Sequence, residues 1–279
     1  MSTEAARLVH LRTKRTNGFR DLDVTVSESG ENLGYAGGIN AVIRALLPVA
    51  GWRGIWILNP DTEPTPTALS ELVACSEHRR KSMVGSRLMS KVDSACIHSR
   101  GLTWNKLAAR TLAVDHHAAA AIDPDLTDIE ARLDAPSGAS LFVTRRLIEK
   151  IGLMDERFFL YFEDLDWGRR ARDFGGVGYA HTSVVSHRGK STTHRTGKHC
   201  LMPLSTYLEF RNRILFVRKQ YPRWLPWTVV MQFVYAVSLL KREPFSATFA
   251  AVRGLFAGVS GEIGRPDRLM GPKGWKADG

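Results

Sequence analysis

Residues 155–175 read DERFFLYFEDLDWGRRARDFG, and this stretch restricts the fold more than any other. Its aromatic run, Phe158, Phe159, Tyr161 and Phe162, asks for burial. Three acids follow at once, Glu163, Asp164 and Asp166, and then Arg169, Arg170 and Arg172. A chain that buries the aromatics must carry the acids to the edge of its core. The spacing predicts a helix over 165–174, in which Trp167, Ala171 and Phe174 share one face and Gly175 supplies the stop. Acids at the start and arginines at the end suit the helix dipole. Two readings of the acids stand side by side. In one, Asp164 caps the helix and Asp166 pairs with Arg170 at i, i+4. In the other, the aromatic wall raises a carboxylate's pKa toward that of a useful base. The stretch alone favours capping, and the motifs elsewhere reverse that.

The chain has 279 residues, enough for one large domain or one domain with an appendage. Apolar residues make up 44% and charged residues 24%, an ordinary globular balance. Cys75, Cys96 and Cys200 are odd in number and far apart, which argues against a disulfide framework or a zinc knuckle and for a reducing compartment. The N-terminal residues lack the long apolar core of a secretory signal. Net charge is +11, and residues 200–279 hold 12 Lys or Arg against 5 Asp or Glu, so +7 of it lies there. Such an excess favours anionic partners.

Along the chain, Leu22, Val24 and Val26 alternate as in a strand. ENLGYAGGINAVIRALL follows, with Gly34, Gly37 and Gly38 read as a loop and Ile39, Val42, Ile43, Leu46 and Leu47 as one face of a helix. Glycines ahead of a helix either let backbone N–H groups approach a diphosphate or simply make a tight turn. The apolar run 54–58 reads as a buried strand, and it ends in Asn59, Pro60, Asp61 and Thr62. A carboxylate at the C-terminal end of a central strand lies where open α/β sheets bind ligands, although Asn, Pro and Asp are also turn formers. A helix is expected from Thr67 with Ala68, Leu69, Leu72 and Val73 inward, then strands over 82–89 and 141–144, a helix over 145–151, and short strands over 177–180 and 183–185. His116 and His117 read as a surface loop. Residues 204–220 form a helix in which Arg211, Arg213, Arg218 and Lys219 interleave with aromatics. Residues 224–240 carry no charge but include Pro226 and Gln232. At 17 residues they sit at the lower limit for a span, which points to an interfacial helix anchored by Trp224 and Trp227.

Four motifs occur in one order: ENLGYAGGIN, WILNPDT, the long stretch from SGASLFVT to RRARDFG, and VVSHRGKS. In that order they resemble the family 2 glycosyltransferases, especially the rhamnosyltransferase-like branch, over about 32–191. The resemblance implies a GT-A fold, an α/β nucleotide-sugar-binding mixed sheet flanked by helices, here with a C-terminal helical membrane-proximal appendage. It implies inverting transfer from a nucleotide sugar, UDP- or dTDP-linked, to a hydroxyl of a glycan or lipid-linked acceptor, in cell-surface polysaccharide synthesis. Asp61 and His187 match the ligands of a divalent cation, Mn²⁺ or Mg²⁺, with Asn59 beside them. Asp164 matches the general base, and Glu163 and Asp166 would orient the acceptor or the base. Gly37, Gly38, Asn40, Arg169 and Arg172 would lie on the donor side, and Ser137, Gly138 and Ala139 on the acceptor side.

The family also implies an N-terminal strand–helix–strand unit at the nucleotide base, which needs roughly 30 residues. Residues 1–31 already include the strand at 22–26, so they are expected to be a remnant of that unit, leaving a sheet edge exposed. A misassigned start, a truncated gene or a completing partner chain would each account for it. The expected division is 1–31, a transferase domain over 32–200, basic helices over 201–264 and a loose tail over 265–279. A peripheral place on the inner, cytoplasmic face of the cell membrane follows from the basic, apolar C-terminal part. A catalytically inactive membrane-surface protein is the alternative. A nucleic-acid partner is not expected, because the charge lies beside apolar helices rather than on a polar groove.

Overall fold

Period-2 alternation of apolar residues sets the frame, and the computed structural model describes residues 7–13, 22–91, 93–187, 195–196 and 200–270. Residues 188–191 of the fourth motif and 271–279 of the expected tail lie outside them. Twelve strands occur in order among the described residues: β1 (Arg7–Thr13), β2 (Leu22–Glu28), β3 (Gly54–Leu58), β4 (Thr62–Pro64), β5 (Met83–Ser90), β6 (Ile97–Ser99), β7 (Leu102–Asn105), β8 (Arg110–Ala113), β9 (Ser140–Thr144), β10 (Val177–His187), β11 (Arg195–Thr196) and β12 (Cys200–Leu201). The helices are α1 (Gly34–Leu46), α2 (Ala68–His78), α3 (Leu126–Arg132), α4 (Arg145–Ile151), α5 (Glu163–Ala171), α6 (Pro203–Gln220), α7 (Leu225–Leu239), α8 (Phe245–Ser260) and α9 (Asp267–Met270).

The main sheet runs β3-β9-β5-β10-β4, with β6 also on β5. β5 and β10 are parallel, while β3–β9, β9–β5 and β10–β4 pair antiparallel. Successive residues of a strand face opposite sides, and the core follows suit. Met83, Leu141, Val143, Val177 and Tyr179 pack with α1, α3, α4 and α5. Val84, Phe142 and Ala180 pack with Leu72 of α2 on the other face. This mixed sheet flanked by helices is the architecture that the resemblance implies.

At the N-terminus the expected strand at 22–26 extends to Glu28 and pairs antiparallel with β1, as a two-stranded sheet of its own. Sequence reading missed β1. Among the described residues β3 and β4 end the main sheet. The glycine loop differs from expectation. The helix begins at Gly34, so Gly37 and Gly38 lie inside its first turns rather than ahead of it. Helix α5 also starts earlier than expected, at Glu163, and its expected inner-face residue Phe174 is 44% exposed.

The C-terminal helices dock through α6. Its Phe216 and Val217 join Trp104, Phe158, Phe162 and Leu165. Its Phe210 and Ile214 join Ala236 of α7 with Ala251 and Leu255 of α8. Helix α8 crosses α6 closely at Gly254 and Gly258, where added Cβ atoms would meet the Tyr207 and Arg211 carbonyl oxygens at 2.3 and 2.7 Å. Helix α7 buries Thr228, Gln232 and Ala236 and exposes Trp227, Val230, Phe233 and Val237. Among the described residues no helix is long and apolar enough to cross a membrane. Trp224 is half-buried against the core and is not a free anchor.

Overpacking a tight crossing costs about 1–3 kcal/mol. Gly254→Val should therefore lower the thermal midpoint clearly, while Ser260→Ala at the exposed end of α8 should not; circular dichroism melts read both.

Candidate active site

The site is built from three turns at one end of the sheet. The first follows β3. Asp61 lies in it, and its Oδ2 is 3.3 Å from Nε2 of His187, the last residue of β10. The sheet makes this meeting: β4, just after Asp61, pairs Thr62 with His187. The His187 Nδ1 is buried without a hydrogen-bond partner. His98 stands beside it, the ring centroids 5.0 Å apart. Burial first, and then the neighbouring His187, His116 and His117, pull the His98 pKa down to about 4.

The second turn is 137–139, ahead of β9. Its Ala139 carbonyl accepts the Asn59 N–H at 3.1 Å, and its Gly138 N–H donates to Asp164 Oδ2 at 2.9 Å. Adjacent Cα atoms are ~3.8 Å apart, so two neighbouring residues bridge the Asp61 turn and the acidic helix. Tyr35 of α1 secures the bridge from behind, its hydroxyl donating to the Gly138 carbonyl at 2.6 Å. Burial first, and then the nearby Asp164 charge, raise the Tyr35 pKa well above its usual value, so it remains a donor.

The third turn is the aromatic run. Phe159, Tyr161 and Phe162 all take positive φ, at 65°, 72° and 75°. Such conformations cost roughly 1–3 kcal/mol each for a non-glycine residue. Phe162 is the residue before α5 and lies in the left-handed region. Asp164 is thus an internal residue of the first turn, not the cap that sequence allowed. Its Oδ1 accepts its neighbour Leu165's N–H at 2.8 Å.

Two adjacent carboxyls behave differently here. Burial, then the Asp164 charge, raises the Glu163 pKa well above the usual value; Glu163 is 4% exposed and its Oε2 has no partner. Burial also raises Asp164, but the Gly138 and Leu165 N–H groups oppose it. Burial thus raises both carboxyls, and the neighbouring Asp164 charge raises Glu163 further.

Several expected site residues have partners within the protein. Asp166 is fully buried, with its oxygens taken by Arg170 at 3.0 Å, Lys219 at 2.8 Å and Gln220 at 2.7 Å. It ties α5 to α6. Arg169 and Arg172 both pair with Asp134, at 3.2 and 3.0 Å, so one carboxylate is shared between two guanidinium groups. Asn40 is buried and exchanges hydrogen bonds with the Met154 backbone. Gly37 faces Leu33, whose Cβ an added methyl would meet at 2.8 Å. Sequence reading missed Tyr35, which hid within the glycine motif, and His98, which no motif marks. It also missed Arg211 and Asn212, which looked like part of a basic surface helix.

A carboxylate facing an imidazole suits a hard divalent cation. Among the described residues no group of three or more His, Cys, Asp or Glu is placed to hold a metal ion. Asp61 and His187 therefore fit as a half-site, which a ligand's own oxygens would have to complete.

No protein-family model matches the chain. It is 23% identical over 256 residues to the low-salt glycan biosynthesis hexosyltransferase Agl10 of Haloferax volcanii, covering 88% of this chain and 79% of that protein. It is 26% identical over 237 residues to an N-acetylglucosaminyl-diphospho-decaprenol L-rhamnosyltransferase of Mycobacterium tuberculosis, covering 79% of this chain and 75% of that one. A crystal structure of GalNAc-T7 with UDP, GalNAc and Mn²⁺ aligns with a TM-score of 0.46 at 11% identity, over 84% of this chain and 43% of that one. The two sequence relatives support a family 2-like glycosyltransferase.

A buried carboxyl with a raised pKa costs nothing below its unfolded value near 4.5 and destabilises as pH rises toward and past its folded pKa. Glu163→Gln should therefore be more stable than the wild type at pH 8, with the difference shrinking toward pH 4.5; urea melts across that range measure it.

Proposed function

We propose that the chain transfers a sugar from a UDP- or dTDP-linked donor to a hydroxyl of a glycan or lipid-linked acceptor, with inversion and with the aid of Mn²⁺ or Mg²⁺. The observation that carries this reading is the bridge at 138–139, which joins the Asp61–His187 pair to a half-buried carboxylate held by two backbone N–H groups. An acid and a base at opposite edges of one short turn suit a donor on one side and an acceptor on the other.

The acceptor hydroxyl would hydrogen-bond to Asp164 and lie over the 137–139 turn. As its oxygen attacks the anomeric carbon, its proton passes to Asp164. The bond from that carbon to the diphosphate breaks on the opposite face, so one displacement inverts the centre. The neutral Glu163 adds no second negative charge beside the base. Gly138 leaves room, since a Cβ there would meet the Tyr35 hydroxyl at 3.0 Å and Asp164 Oδ2 at 3.2 Å. Held by Asp61, His187 and the diphosphate, a divalent cation would supply charge neutralisation of the leaving group.

The exposed side of α7 and α8 supports a place at an anionic membrane surface on the cytoplasmic side. Val230, Phe233, Val237, Phe245, Phe249 and Phe256 are all 46–74% exposed. Exposed Lys241 and Arg242 lie at the turn between the helices, and Arg253 stacks 5.7 Å from the Phe249 ring centroid. Apolar side chains beside cations match an interfacial binding face. By contrast Arg211 and Arg213 point inward, so the basic surface is smaller than the sequence implied.

Asp164→Asn should reduce turnover by about 10²–10⁴-fold while donor affinity, read by calorimetry, stays near that of the wild type. Asp61→Ala should remove the Mn²⁺ dependence of donor binding; unchanged dependence would take Asp61 out of the cation site. Replacing Phe233, Phe249 and Phe256 together by Ser should abolish co-sedimentation with phosphatidylserine vesicles, and full retention would discard the membrane face.

A further inference from the structure

We infer that Asn212 of α6 is the positioning residue for Asp164, acting through the carbonyl groups of the turn before it. The inference rests on the reading of Asp164 as the base. Asn212 is fully buried. Its Nδ2 donates to three acceptors of the turn, the carbonyls of Phe158 at 2.8 Å, Leu160 at 2.7 Å and Tyr161 at 3.0 Å. An amide nitrogen carries two hydrogens, so at least one is shared between carbonyls.

The turn has a reason to need such a partner. With Phe159, Tyr161 and Phe162 at positive φ, the Phe158 carbonyl accepts the Leu160 N–H at 2.8 Å and the Phe159 carbonyl the Tyr35 N–H at 2.8 Å, while those of Leu160 and Tyr161 depend on the side chain of Asn212. Buried carbonyls without a donor are costly. The amide answers them together and fixes the turn in the one conformation that presents all three. Arg211 fixes the amide in turn. Its Nε donates to Asn212 Oδ1 at 3.0 Å, so the nitrogen must face the carbonyls, and its Nη2 gives Phe158 a further donor at 3.1 Å.

The geometry then runs directly to the base. The carbonyl of Phe162 accepts the Asp166 N–H at 2.9 Å and opens α5. Asp164 lies within that first turn, where its Oδ2 meets the Gly138 N–H. Releasing the carbonyls frees the start of the helix and moves Asp164 from its two donors. Misplacement of a reacting group by about 1 Å can cost 10²-fold in rate. Loss of the Gly138 N–H, which lowers the Asp164 pKa, also has a sign: the pKa rises, and the acidic limb of the pH–rate profile moves to higher pH.

The experiment compares Asn212→Ala and Asn212→Ser with Ile214→Ala. Ile214 is equally buried on α6, but packs toward α7 and α8. The expected result for the Asn212 variants is a fall in kcat of about 10²-fold, little change in donor KM, and an acidic limb shifted upward. Ile214→Ala should lower the thermal midpoint while keeping kcat and the limb. Wild-type kcat in Asn212→Ala, or an equal kcat loss in Ile214→Ala, overturns the inference. Hydrogen exchange separates it from the reading of function. Even with no transferase activity in the wild type, the amides of Phe159 and Leu160 should exchange slowly in it and faster in the variants. Exchange of those amides within seconds in the wild type alone would overturn the inference, whether or not the variants are soluble.

Discussion

One buried amide and one buried guanidinium hold the turn on which the acidic helix begins. Asn212 and Arg211 donate to the carbonyls of Phe158, Leu160 and Tyr161, in a turn that adopts positive φ at three aromatic residues. Each such residue carries a strain of roughly 1–3 kcal/mol, and a net hydrogen bond returns about 1 kcal/mol. The turn is therefore not stable by itself. It exists because α6 is present, and α6 is held in place by α8 at two glycines. The C-terminal helices thereby reach the centre of the site although their outer faces look to solvent.

The same economy appears in the two carboxyls that follow. Glu163 and Asp164 are neighbours, the first buried and the second half-buried. More backbone N–H groups oppose the rise at Asp164 than at Glu163, and that asymmetry supports the reading of Asp164 as the base. A turn of small residues, Ser137, Gly138 and Ala139, then serves both half-sites at once. Its N–H holds Asp164 and its carbonyl holds the Asn59 turn, so the acidic helix and the Asp61–His187 pair share one rigid support.

Much of the frame is legible in the sequence because it is local. Strand β5 alternates Met83 and Val84 between two cores, and α4 occupies the expected 145–151. The motif order also brought Asp61 and His187 together before any coordinates did. What failed was tertiary. The aromatic turn is unreadable because Phe and Tyr rarely take positive φ, so α5 was expected to begin too late. Asp166, Arg169, Arg172 and Asn40 have the chemistry of a site, but partners distant in sequence claim them. Arg211 and Asn212 erred the other way, since an arginine amid aromatics on a basic helix reads as surface until the helix is docked.

The central claim is that the Asp61–His187 pair and Asp164 bound a site for a nucleotide-activated sugar. Calorimetric titration of the whole chain with UDP and with dTDP, each with and without Mn²⁺, tests it most directly. The account predicts saturable binding of at least one of them that requires Mn²⁺. Binding indifferent to Mn²⁺, or no binding of either, would contradict it.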